Sequence, residues 1–463
     1  MQRWSLAILA LCGIGIACAI SWRLQISTSS VSTSNVSTSN VEDGLPSSHG
    51  DNREQRTESV TTTTAGDRSG PIGPTIQIPQ FSAPGNSELF HVEAESAVSL
   101  LLKTVGRKHE AMHVAALLDA QLHNTEKAEA LWRECIELAP DTERYYLNLA
   151  AVLTEKGDSH SAVKVLELAN QKGLSSVDLV HHLCVSYVDS GEVDQAVAEC
   201  EKGLKEFGQS PALLLVYGRA LLDNRQADRA EKILKEAIAK GAGSRLAHTY
   251  LMSALLQQGK REEAAAVNDL LRDSAEHEEH NADSRYAALS DAEARRNLLS
   301  VLTGAGHVYQ LYGDFEFAEL VLLRAISLDS SHVVALEQLA TLSGQRQQYA
   351  NELAVREHQQ LLRPFDLLGH LKLAKAAALS GNPQRAEAAI KLAISLSPTS
   401  PTGFVAMAEF LLEQDEPAKA QWYATQAFGM RPSDEMAAAL LRKTLQLQGK
   451  EAEAQAVHII QDQ

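Results

Sequence analysis

The sequence predicts an all-α protein, a solenoid of helix-turn-helix repeats, and three observations carry the prediction. Alanine falls at 128, 162, 196, 230 and 264, each 34 residues after the last, and again at 318, 386 and 420. Twelve residues before these stands a second, mostly small residue: Ala116, Ala150, Cys184, Gly218, Met252, Gly306, Ala374 and Ala408. Ala340 holds the same place before Glu352, which breaks the alanine series. Two antiparallel helices approach closely only where small residues meet. Third, aromatic residues make up 5% of the chain, glycine and proline are sparse beyond about residue 90, and no segment there alternates like a strand.

Between Arg3 and Arg23 lie nineteen uncharged residues, WSLAILALCGIGIACAISW. At ~1.5 Å per residue they nearly cross a ~30 Å hydrocarbon core, with Trp4 and Trp22 at the two interfaces. Residues 1–24 are therefore read as a signal-anchor or transmembrane helix. A cleaved secretory signal is the alternative, because Ala17-Cys18-Ala19 has the small-x-small pattern of a cleavage site, and lipidation of Cys18 is a third. Arg3 and the amino terminus outweigh Arg23, which puts the N-terminus on the cytoplasmic side and the rest on the periplasmic or extracellular side. Residues 25–86, with STSSV and two copies of STSNV, hold too little apolar surface for a core and read as a disordered Ser/Thr-rich linker.

Residues 87–278 then read as an N-capping helix and five repeats. Ala94 lies 34 before Ala128, so residues 88–106 form the second helix of a half unit. The residue before the first small position is usually large and apolar, as in Leu149, Leu183, Tyr217, Leu251, Leu339, Leu373 and Met407, and fills the space between hairpins. Glycine marks the turn at Gly157, Gly191, Gly259, Gly313 and Gly381, where a helix end wants positive φ. Residues 279–298 interrupt the array, and Ser290 with Glu293 has the capping-box spacing of a helix start. The insertion is read as a loop plus an extension of the next helix, separating two rigid blocks. Four more units follow over 299–434. The one from 333 to 366 is degenerate, with Glu352, Arg356 and Gln359 at core positions, which predicts a distorted or register-shifted hairpin. Residues 435–463 read as capping helices with a polar outer face.

At these residues the chain resembles the tetratricopeptide repeat family, whose unit has small residues at positions 8 and 20, a large one at 24, alanine at 27 and proline at 32. The unit from His109 carries Ala116, Ala128, Trp132, Cys135 and Pro140 at those places, and the unit from Pro401 carries Ala408, Ala420, Ala427 and Pro432. The resemblance covers about 70% of the chain. It implies a right-handed superhelical solenoid whose first helices line a concave groove that binds proteins or peptides. The exposed first-helix residues are then His113, Asn148, His181, His182, Arg219, Tyr250, His307, Lys372 and Lys375. In the subclass that grips a terminal carboxylate, only Asn148 matches; His113, Leu117, Asp178 and His182 stand at the other clamp positions, so that use is not supported.

Charge and motifs limit the chemistry. The net charge is −17, and residues 1–108 carry 8 basic and 9 acidic side chains, so the repeats hold nearly all of it. Such a surface repels phosphate backbones, which argues against nucleic-acid partners. His109-Glu110-Ala111-Met112-His113 matches the zinc-peptidase string HExxH, but Ala116 stands where a metzincin has glycine and no third ligand follows. His277 and His280 could share a metal, and Cys184 and Cys200, facing each other at positions 8 and 24 of one unit, could form a disulfide if exported. No phosphate-binding loop or nucleophile elbow is present. The sequence thus predicts a non-catalytic scaffold, without cofactor or metal, tethered to a membrane by its N-terminal helix and resembling bacterial-type adaptors of envelope assembly. A regulatory subunit of a membrane enzyme and, less simply, a zinc metallopeptidase are the alternatives.

Overall fold

The computed structural model describes residues 87–276 and 282–459. The anchor at 1–24, the linker at 25–86 and the pair His277 and His280 lie outside them. No helix among the described residues is long and apolar enough to cross a membrane.

The described residues form twenty-one helices and no strand. A single helix, α1 (Ser87–Val105), comes first. Five hairpins follow: α2 (His109–Gln121) with α3 (Thr125–Leu138), α4 (Glu143–Glu155) with α5 (Ser159–Gln171), α6 (Val177–Ser190) with α7 (Val193–Phe207), α8 (Pro211–Asp223) with α9 (Ala227–Ala239), and α10 (Arg245–Gln257) with α11 (Arg261–Glu276). Next come α12 (Ala282–Leu311), α13 (Phe315–Leu328), α14 (Val333–Gln345) and α15 (Tyr349–Leu362). The chain continues through α16 (Leu367–Leu379), α17 (Pro383–Leu396), α18 (Pro401–Glu413) and α19 (Pro417–Met430), and ends with α20 (Glu435–Gln446) and α21 (Glu451–Gln455).

Why a small residue recurs at position 8 is visible at Gly218 and Gly306. A Cβ on Gly218 would come within 2.5 Å of Leu234, and one on Gly306 within 2.8 Å of Leu322. Both leucines hold position 24 of their own units, so the large residue of the second helix lies directly over the small residue of the first. Cys184 and Cys200 are the same pair in the third unit, both fully buried.

Position 15 of every unit takes left-handed backbone. Glycine supplies it five times, with φ between 76° and 84°, and His123, Arg225, Gln347 and Asp415 supply it elsewhere with φ of 56° to 59°. Non-glycine residues reach this region at a cost of roughly 1–2 kcal/mol. The unit predicted to be degenerate therefore keeps its turn, at Gln347, in register with the others. Its polar core positions lie beside one another along one helix. Arg356, which is buried, donates to Gln359 at 3.0 Å and lies 3.8 Å from Glu352, whose carboxylate packs against Gly344.

Long-range closure is where the structure differs from the sequence reading. The described part of α12 packs against α1 as extensively as against its own hairpin partner α13, and it also touches α2. The half unit predicted at the N-terminus is thus completed by a helix some two hundred residues further on. Asp291 accepts the Ser87 backbone N–H at 2.8 Å and so caps α1, not its own helix. Continuous helix runs through Ser290, so the capping-box spacing there marks no helix start. Arg295 lies over the Phe90 ring, Tyr312 donates to Glu110 at 2.9 Å, and Val114 fills the space beside Gly304. At the centre, Arg324 of α13 grips Glu93 of α1 through two hydrogen bonds of 2.7 and 2.8 Å, with both side chains at 1% exposure or less.

The chain divides into compact units between Leu342 and Ser343, inside α14, and not at 279–298. The reason is that α12 and α13 are bound into the first unit by the contacts just given. The core of that unit gathers Met112, Trp132, Tyr145 and Tyr146 with the alanines of the beat, and a second cluster centres on Cys184, Tyr217 and Leu234. The other unit is cored by Leu373, Ile390, Met407 and Leu441.

Two measurements test these points. Glu93→Leu should cost about 3–5 kcal/mol in urea unfolding, because it strands a buried guanidinium, and Glu93→Leu with Arg324→Met should recover most of that. Arg225→Gly should stabilise the chain by about 1 kcal/mol, since it relieves left-handed backbone at a residue whose side chain holds no core position; a loss of stability would contradict the turn geometry.

Candidate functional site

The site is built from the first helices α2, α4, α12 and α14. Where the sixth unit meets the first, these helices line an open cavity of about 270 Å³. Glu110, His113, Val114 and Leu117 come from α2, Arg144 from α4, Ser300, Thr303, Gly304, His307 and Val308 from α12, and Gln338 from α14. His113 and His307, 194 positions apart in the sequence, are brought to one site by the closure.

The HExxH side chains are engaged by aromatic and hydroxyl neighbours. Trp132 donates its indole N–H to His113 Nδ1 at 3.1 Å, which leaves the proton of the neutral ring on Nε2. His109 bonds through Nδ1 to the Tyr145 hydroxyl at 2.8 Å, and its Nε2 lies 3.2 Å from Glu110. Glu110 also accepts the Tyr312 hydroxyl. Burial, with Arg144 and His109 adding to it, pushes the His113 imidazole down to about 4, so it stays neutral at physiological pH. Arg144 stands over the Tyr145 ring, 5.5 Å from its centre. Among the described residues no group of three or more His, Cys, Asp or Glu is arranged to hold a metal.

The other groove residues fare differently. Asn148 is half-buried on α4 and Tyr250 half-buried on α10, the latter packed against the core. His181 and His182 meet edge to face at 5.4 Å, and burial lowers the pKa of both. Arg219 is committed within the fold, paired with Asp189 at 2.6 Å and near Asp223. Lys372 and Lys375 are exposed on α16, in the second compact unit. Cys184 and Cys200 are free, buried thiols in hydrogen-bond contact, which together with burial raises the Cys200 pKa. Sequence reasoning missed Arg144, Ser300, Thr303 and Gln338. Nothing in a 34-residue period signals that α12 turns back onto α2.

Comparison with known proteins agrees with the hairpins. A tetratricopeptide repeat family model matches residues 187–249, from the end of α6 into α10. No curated protein matches the chain. Among solved structures the chain is similar to the MamA protein, at 16% identity over 34% of this chain and 87% of that one, with a TM-score of 0.31. It is similar also to a tetratricopeptide repeat protein from Parabacteroides merdae ATCC 43184, at 16% identity over 65% and 98%, with a TM-score of 0.26. Yeast Tom70 matches at 13% identity over 75% and 90%, with a TM-score of 0.29. Likeness at this level carries no argument about function. The matched segment is of the tetratricopeptide type, and the described residues on either side of it form helical hairpins at the same period.

A pH dependence follows from His113. Its folded pKa lies below its unfolded value, so the unfolded chain binds the extra proton first as pH falls from about 6.5 to about 4. Stability from this group is whole above that window and is lost through it, by at most about 3 kcal/mol. His181 and His182 act in the same direction. Urea midpoints taken across that range should fall less steeply in His113→Gln, which keeps an acceptor for Trp132; an unchanged slope would rule His113 out as a contributor.

Proposed function

We propose that this protein is a non-catalytic adaptor that binds an extended segment of a partner protein in its concave groove, tethered to a membrane by residues 1–24 with the repeats exported. The observation that carries the reading is the cavity at the meeting of α2, α4, α12 and α14, where polar and apolar side chains of four first helices converge. Helical-repeat walls of this kind suit recognition of a chain laid across them. The protein partner is supported by the tetratricopeptide-type hairpins. The tether is supported by the uncharged run from Trp4 to Trp22.

Proximity labelling in the native host would identify the partner. Capture of it by the full-length chain should then fall about tenfold or more in a double variant, Asn148→Ala with His182→Glu, since a few groove contacts carry most of the affinity. Lys164→Ala, an exposed position on the second helix α5, should leave capture unchanged. Equal capture by the groove variant would overturn the assignment. Metal analysis of the purified chain should show no stoichiometric zinc; one zinc per chain, lost in His113→Gln, would revive the peptidase.

A further inference from the structure

We propose that Cys184 and Cys200 are the two halves of a disulfide that pins α6 to α7 in the packing the structure shows, formed by exchange with oxidised glutathione or another soluble disulfide. Among the nine repeat units only the third has cysteine at both position 8 and position 24. Elsewhere a small residue at 8 faces a large one at 24, as Gly218 faces Leu234 and Gly306 faces Leu322. Two cysteines divide the same gap between them, so their sulfurs meet between the helices. Both side chains are fully buried in one apolar cluster with Tyr217 and Leu234, and the thiols are in hydrogen-bond contact. Cys135 does not compete for either, since its thiol donates to the His109 carbonyl of the first unit at 3.3 Å.

The scaffold brings these two positions to bonding range. A Cβ on Gly218 would lie 2.6 Å from Cγ of Leu234, and one on Gly306 would lie 2.9 Å from Cγ of Leu322. In cysteine, sulfur takes the place of that γ carbon. In a disulfide each Cβ stands about 3 Å from the far sulfur, as an S–S bond of ~2.05 Å and the bent geometry at sulfur require. A separation that crowds unbonded atoms, and so favours glycine opposite leucine, is thus the one that a disulfide spans. The third hairpin shares its turn with the sixth: Gly191 and Gly313 take φ of 84° and 79°. Joining the sulfurs therefore asks little movement of either helix.

The reaction balances with glutathione disulfide as the oxidant. One cysteine thiolate attacks it, giving a mixed disulfide and releasing one glutathione. The second thiolate displaces the other glutathione and closes the Cys184–Cys200 bond, so two electrons and two protons end on two glutathione thiols. Burial decides when this happens. No oxidant reaches a sulfur without exposed surface, so the bond forms while the hairpin is still closing, and afterwards the same packing shields it from reductant. The bond encloses 15 residues, 185–199, that include the turn from α6 to α7, and it fixes the helix that carries His181 and His182.

The test unfolds the full-length chain in urea with dithiothreitol, refolds it in oxidised and reduced glutathione, alkylates it with iodoacetamide and maps it by mass spectrometry without reduction. Most of both residues should appear in one peptide that joins Cys184 to Cys200 and is lighter than its two parts by two hydrogens. Urea titration should show the joined chain favouring the folded state about a hundredfold more than the chain refolded in dithiothreitol, as closure of a loop of ~15 residues predicts. Cys184→Ala, which places at position 8 the residue that Ala116, Ala150, Ala340, Ala374 and Ala408 supply in other units, should fold and show no such difference. Recovery of the two residues alkylated, capped with glutathione, or joined to Cys12, Cys18 or Cys135 overturns the pairing. A joined chain no more stable than the reduced one also overturns it, because the bond would then strain the hairpin instead of fitting it.

Discussion

The ion pair between Glu93 and Arg324 is the constraint on which the first compact unit depends. Its two hydrogen bonds join helices that begin more than two hundred residues apart, in surroundings that exclude water almost completely. A buried pair of this kind adds little net stability compared with apolar residues of the same shape, because desolvating both charges is expensive. It is, however, intolerant of misplacement. Any arrangement that separates the two leaves an uncompensated charge in the core, so the pair selects the packing in which α13 lies on α1.

That selection has consequences along the chain. With α13 fixed on α1, α12 takes the place of the missing first helix of the N-terminal half unit, Asp291 caps α1, and Gly304 admits Val114. The wall of first helices then continues from α4 through α2 to α12 and α14. His307, which the period alone would place far from His113, reaches the same cavity. The residues that make the cavity chemically distinctive are supplied by both sides of this junction, so the cavity exists only where the long-range fold closes.

The same geometry bears on the HExxH string. In a zinc peptidase the two histidines of HExxH must keep a nitrogen each for the metal and the glutamate must face a water. Here Trp132 donates to Nδ1 of His113, Tyr145 bonds Nδ1 of His109 and Tyr312 donates to Glu110, which fixes the orientation of all three groups. The network orients the His113 ring, while burial, with Arg144 and His109 adding to it, keeps it neutral. Acidity elsewhere on the repeats acts at longer range and disfavours anionic partners.

Much of this was legible in the residues. The alanines at position 20 and the small residues at position 8 determined the hairpins, because interhelix distance within a unit is set by local neighbours a fixed number of residues apart. Glycine likewise announced five of the nine turns. It could not announce the four at His123, Arg225, Gln347 and Asp415, since there the hairpin imposes left-handed backbone on residues that do not prefer it. The polarity of Glu352, Arg356 and Gln359 likewise left unannounced that the turn of their unit keeps its register at Gln347, and that Arg356 bonds Gln359 along α15. What only the tertiary structure decided is the order in which the units stack. A repeat pattern encodes contact with the next repeat, whereas the junction of α1 with α12 and α13 rests on single, non-periodic contacts such as Glu93 with Arg324, whose partners a period of 34 gives no reason to pair.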